Sequence, residues 1–120
     1  MKVRAIRGAT QLAEDSAAEM RVAVVELLEK IFEENEITTE NLISILFTVT
    51  PDIHSDFPAA AARILPLGEI PLMCFQEIDV NGALPRVVRV MVHCYTHRSH
   101  AEIKHIYLRG AAALRKDIAQ

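Results

Sequence analysis

Arg89 stands inside Val87-Val88-Arg89-Val90-Met91-Val92, a run so apolar and β-branched that it reads as a strand buried on both faces. A guanidinium cannot escape burial by shedding a proton. Removing it from water costs several kcal/mol unless an anion or a full set of acceptors meets it. Glu77, which closes the apolar run Pro71-Leu72-Met73-Cys74-Phe75-Gln76-Glu77, is a nearby candidate. One carboxylate cannot also satisfy Arg7 and Arg63, which lie in comparable settings, so the surplus of arginine indicates a small, multiply anionic ligand. Tyr107 adds a hydroxyl to this inventory, Phe57 a ring and Arg115 a further cation. Plainer readings exist: Arg7 ending a strand at the surface, Arg63 facing a helix C-terminus, Tyr107 packed in the core, Arg115 in solvent. Those readings suit Arg63 and Arg115 better than a ligand does. For Arg89 the ligand is the better account.

Other chemistries lack their parts. His93, His97, His100 and His105 crowd one region with Cys94, but adjacent strand residues His93 and Cys94 point to opposite faces, and the spacings match no zinc pattern. Metal is therefore not expected. There is no Gly-x-Ser-x-Gly elbow, and Cys74 has no histidine or lysine close in sequence, so on residue chemistry alone it reads as packing. Gly68 and Gly82 are isolated, which argues against a phosphate-cradling loop and a nucleotide cofactor.

The elements that must position these side chains follow from periodicity. Lys2 to Arg7 alternates and is expected to stop at Gly8. Ser16-Ala17-Ala18-Glu19 has capping-box spacing, and Met20, Val24, Leu27, Leu28, Ile31 and Phe32 recur at helical intervals to about Asn35. Residues 42–49 form a second strand ended by Thr50-Pro51-Asp52, and Pro58 opens a short helix over 59–65. A third strand over 70–77 and the strand carrying Arg89 are expected to be antiparallel neighbours joined through Asn81-Gly82. A brief fifth strand (103–108) and a helical 110–114 complete the order. The fold class is α+β: a mixed sheet with helices on one face, whose other face has to be buried elsewhere, which points to oligomerisation.

The bulk numbers fit one domain of 120 residues, with about 116–120 a loose tail. A net charge of −3, with 51% apolar and 24% charged residues, speaks against a nucleic-acid partner. Acidic residues crowd Glu14 to Glu40 and basic ones the later part, so the second half is the one expected to face an anion. Cys74 and Cys94 read as reduced thiols of a cytosolic protein. No stretch approaches a membrane span, and the first residues lack a signal peptide's apolar core.

Five ordered blocks carry a resemblance: Ile6-Arg7-Gly8-Ala9-Thr10; Thr50-Pro51-Asp52-Ile53-His54 with Phe57-Pro58-Ala59; Cys74-Phe75-Gln76-Glu77-Ile78-Asp79-Val80; Arg89-Val90-Met91; and His105-Ile106-Tyr107-Leu108. Over nearly its whole length the chain resembles the AroH class of small, mixed α/β, monofunctional chorismate mutases. The resemblance implies an isomerase that converts chorismate to prephenate by a [3,3] Claisen rearrangement, at the branch toward phenylalanine and tyrosine. It needs no cofactor, metal or covalent intermediate. It also implies a trimeric pseudo-barrel with a site at each subunit interface. By resemblance, Arg89 meets charge on the ether oxygen, Arg7 grips a carboxylate with Tyr107 as companion, and Glu77 accepts the ring hydroxyl beside Cys74. Phe57, Ala59, Leu72 and Met73 would wall the pocket, with Arg63 and Arg115 near its mouth.

The chain departs from the family pattern at three positions. Ala60 stands where some relatives have lysine, Met73 where a smaller residue is usual, and Lys116 where proline is common; these bear on substrate capture and the tail. Two other readings compete. One is a non-catalytic trimer that binds a small carboxylate in the same cleft. The other is a trimeric enamine or imine deaminase, which the Glu77–Arg89 pairing and the block from Cys74 to Val80 fit less well.

Overall fold

A computed structural model describes residues 1–114; the tail assigned to 116–120, together with Arg115 and Lys116, lies outside the described residues. Five strands form one sheet: β1 (Lys2–Gln11), β2 (Leu42–Val49), β3 (Leu72–Gln76), β4 (Val87–Thr96) and β5 (Ile106–Tyr107), in the spatial order β3-β2-β4-β1-β5. Helices α1 (Ala17–Glu34) and α2 (Pro58–Ala62) cover one face, giving the α+β class with a mixed sheet. Met20, Val24, Leu27, Leu28 and Ile31 of α1 are fully buried against Ile6, Ile45, Phe47, Val88, Val90 and Val92 of the sheet.

Local chemistry explains the helix ends. Ser16 caps α1 by accepting the Glu19 N–H at 3.1 Å, as the capping-box spacing requires. The return bond of a full box is diverted: the Glu19 carboxylate instead accepts the Ala13 N–H at 3.2 Å and pairs with Arg109. These contacts hold the Glu19 carboxyl below its ordinary pKa, the Ala13 N–H first and Arg109 after it. At the far end, Asn35 donates to the Ile31 and Lys104 carbonyls at 2.9 Å each and accepts the Lys104 N–H at 2.8 Å. Arg98 donates to the Glu34 carbonyl at 2.9 Å, a cation at the negative end of the helix dipole.

Gly8 does not end the first strand, which continues to Gln11. Its role is close approach. A Cβ there would lie 2.8 Å from Ile31 Cδ1, 3.0 Å from the Ile106 carbonyl oxygen and 3.2 Å from Leu27 Cδ1. The Ile106 contact is backbone and cannot step aside as a side-chain tip can. Gly8→Ala is expected to destabilise the fold by about 1 to 3 kcal/mol, the range of an overpacked core, read as a lowered midpoint in urea.

The expected hairpin between the third and fourth strands is not formed. The turn itself exists, with Gly82 at φ 82° and the Ala83 N–H bonded to the Val80 carbonyl at 3.1 Å. However, β2 lies between β3 and β4, parallel to the first and antiparallel to the second. Turn chemistry fixes a local reversal but not which ladder the returning chain joins. The fifth strand shrinks to two residues parallel to β1, and the helical segment expected over 110–114 is a 3₁₀ helix at Arg109–Ala113.

Burial along β4 also differs from the sequence reading. Val88, Val90, Val92 and Cys94 are buried under the helices, whereas Arg89, Met91, His93 and Tyr95 lie on the opposite face, half-buried or exposed. Burial pushes the Cys94 thiol above its ordinary pKa, as suits a packing residue. Among the described residues, no helix covers the second face of β4.

Candidate active site

Arg89 gains its anion across a strand. It lies opposite Thr48 of β2 on one side and Ala9 of β1 on the other. Glu77 follows β3 directly, its N–H bonded to the Val49 carbonyl at 2.8 Å. The Arg89 Nε lies 3.3 Å from Glu77 Oε1 and 3.2 Å from Oε2, and the Thr48 hydroxyl donates to Oε2 at 2.6 Å. The Arg89 side chain is 40% exposed and that of Glu77 18%. Outside the core, Arg89 lines an accessible cleft and Glu77 a separate hollow with Thr50 and Asp52, the two joined by this ion pair. It engages only Nε, so both Nη groups of Arg89 lack a hydrogen-bond partner among the described residues.

That cleft, about 280 Å³, is lined by Arg7, Gly8, Leu46, Thr48, Phe75, Arg89, Val90, Met91 and Tyr107. Arg7 is set by β1 opposite Met91, with its own N–H donated to His105 Nδ1 at 2.9 Å. Tyr107 is buried among Ala9, Val87 and Ala111, held to the open face by the short parallel ladder of β5. Two guanidiniums converge on an apolar-walled hollow whose near carboxylate, Glu77, is already paired. Such a hollow favours an anion over a cation or a neutral molecule.

A clamp fixes the start of β4, just before Arg89. Thr50 donates to Asp52 at 2.6 Å and accepts the Val87 N–H at 3.0 Å, while Asp52 accepts the Arg86 N–H at 3.0 Å. The Thr50-Pro51-Asp52 block thus ties the end of β2 to the start of β4, two residues before Arg89.

The remaining sequence-derived residues lie elsewhere in the chain. Cys74 pairs with Phe47 on the helix-covered side, not beside Glu77, and lines a second cleft with Phe57, His54 and Val49. Phe57 is 69% exposed there. Asp15 secures this loop by accepting the His54 and Ser55 N–H groups at 2.8 and 3.1 Å. Its carboxyl lies below the ordinary range, chiefly through the Ser55 side chain, so the contribution to stability persists above that range and is lost as pH falls through the lowered value. Ala59 packs on the core, and Leu72 and Arg63 line a third hollow. Met73 is exposed on the open face beside Leu46. Arg115 is outside the described residues.

Sequence reading missed Leu46, Thr48, Phe75, Met91 and Gly8 as cleft residues. Period-two alternation places Phe75 and Glu77 on one face, and only knowledge that β2 intervenes brings Thr48 between Glu77 and Arg89. Among the described residues, no group of three or more His, Cys, Asp or Glu side chains could hold a metal ion, and no helix is long and apolar enough to cross a membrane.

Comparison with known proteins gives the same direction from independent information. Residues 3–118 match the family model for chorismate mutase type I. The chain is 40% identical over 120 residues to Chorismate mutase AroH of Bacillus subtilis (strain 168), covering 99% of this chain and 94% of that protein. It is 43% identical over 117 residues to Chorismate mutase AroH of Thermus thermophilus, covering 97% and 96%. A solved chorismate mutase from Clostridium thermocellum superposes with a TM-score of 0.89 at 43% identity, covering 92% of this chain and 98% of that one. Matched along nearly its whole length in sequence and in its five-stranded fold, this chain belongs to the type I chorismate mutase family.

Proposed function

We propose that the cleft of Arg7, Glu77, Arg89 and Tyr107 performs the family's isomerisation, chorismate to prephenate, and that a neighbouring copy completes it. The reaction is intramolecular and moves no proton, so the protein must hold a reactive conformer and meet charge as it develops. The observation that carries this reading is the half-engaged guanidinium of Arg89, with Nε on Glu77 and both Nη groups without a partner among the described residues. As the ether bond stretches, its oxygen gains negative charge, and a cation placed there is worth more in the transition state than in the ground state. Arg7 grips a substrate carboxylate with Tyr107 beside it, and Glu77 accepts the ring hydroxyl.

The homotrimer is supported by two features. The open sheet face exposes Val3, Met73, Phe75 and Tyr95, apolar side chains that no helix among the described residues covers. The site residues also fall into two sets: Arg7, Arg89 and Tyr107 line one cleft, with Glu77 paired to Arg89 at its side, while Phe57 and Cys74 line another. A ring of copies would bring the second set of one subunit to the first set of its neighbour. The whole chain acts as one cytosolic domain, without metal or cofactor.

The test is the purified protein with chorismate, following loss of substrate absorbance and acid conversion of the product to phenylpyruvate. Turnover that is unchanged by a chelator is expected. Turnover no faster than the spontaneous reaction would replace this reading with a carboxylate-binding protein.

A further inference from the structure

We propose that Thr48 is a positioning residue that aims the Glu77 carboxylate. The idea rests on the reading above, that Glu77 and Arg89 act together on chorismate. Glu77 leaves the end of β3 and Arg89 stands on β4, yet β2 runs between them. With neighbouring strands about 4.8 Å apart, the Glu77 and Arg89 side chains must together span roughly 10 Å of sheet, and the carboxylate comes to lie over β2. Thr48 is the residue it crosses, opposite Arg89 in one ladder and Phe75 in the other. Position 48 must therefore satisfy two demands: a side chain small enough to pass over, and a donor at the crossing.

The donor sets how the pair is arranged. Oε2 receives the Thr48 hydroxyl at 2.6 Å and lies 3.2 Å from Arg89 Nε, whereas Oε1 has only Nε, at 3.3 Å. Oε1 thereby keeps a lone pair for the substrate hydroxyl. Held in this way, the carboxylate contacts the guanidinium through Nε and leaves the Nη groups for the substrate. Without the hydroxyl, the carboxylate is free to turn and grip the guanidinium through two nitrogens, the geometry that arginine and carboxylate prefer. That grip would neutralise Arg89 where its charge is needed.

Thr48→Val keeps shape and strand preference but removes the donor. We expect kcat/KM for chorismate to fall roughly 10- to 100-fold, mostly in kcat, the scale of a lost hydrogen bond to a charged group. Thr48→Ser, which keeps the donor, should stay within about threefold of the unsubstituted protein. In a Glu77→Ala background, Thr48→Val should add less than about threefold, because its effect runs through Glu77. Full additivity, or an unchanged kcat/KM in Thr48→Val, would overturn the role of Thr48. If Thr48→Val fails to fold, Thr48→Ala against Thr48→Ser reads the same contrast. An unsubstituted protein without turnover would instead sink the rearrangement reading itself, so the two failures are distinguishable.

Discussion

Arg89→Lys should lower kcat by about 10²- to 10³-fold, the cost typical of a deleted oxyanion donor, with a much smaller change in substrate binding. The charge survives this substitution, so a simple attraction for a dianion would survive too. What is lost is the fork: Nε on Glu77 and the Nη groups directed elsewhere at the same time. A lysine ammonium is a point charge that can pair with Glu77 or serve the ether oxygen, and Glu77 is held within reach by Thr48. Steady-state kcat with chorismate, beside a substrate affinity from single-turnover binding, separates the two effects. Near-normal kcat would reject the electrostatic role.

The second large effect concerns the composite site. Arg89→Lys damages one set of residues, and Phe57→Asp damages the other by placing a negative charge where a dianion must lie. Phe57 is exposed, so this change should leave the subunit folded. Each variant alone is expected to be nearly inactive. If each site takes one half from each of two adjacent subunits, random mixed rings from equal amounts should regain about one quarter of the normal activity, since an intact half must come from both neighbours. Mixing requires dissociation and reassembly of the rings, checked by exchange of a labelled subunit. Verified exchange without recovery would place the whole site within one chain.

Most local signals in the sequence carried over into the structure, whereas the order of the strands did not. The capping serine and apolar period of α1 and the end of β2 at Thr50-Pro51-Asp52 are encoded within a few residues of where they act. The ladder order is not, because hydrophobic alternation marks which face a strand buries and leaves its neighbour open. For the same reason Glu77 and Arg89 could be named from sequence as partners, while Thr48, which lies between them, could not. The apolar run around Arg89 misled in one respect: half of its residues are buried by helices, and the other half belong to the open sheet face. A run of valines does not reveal whether its second face is covered by its own chain or by another. Gly8 misled similarly, since a glycine after a short alternation fits a strand end and a helix contact equally well.

Cys74 repays a comparison with the arginines. Sequence neighbours three apart on a strand point to opposite faces, so Cys74 and Glu77 cannot share a pocket within one subunit if the strand stays regular. Their separation across the sheet is what a site built from two copies requires, and the mixing experiment reads it directly.

The most direct test of the role of Arg89 compares two affinities rather than two rates. A rigid bicyclic ether dicarboxylate, shaped like the rearranging substrate, and prephenate itself should both bind the unsubstituted protein. If Arg89 is aimed at the ether oxygen in the geometry of bond breaking, Arg89→Lys should weaken the bicyclic ether at least about tenfold more than it weakens prephenate. An equal loss for both ligands would show that Arg89 only holds the dianion, and would contradict the mechanism.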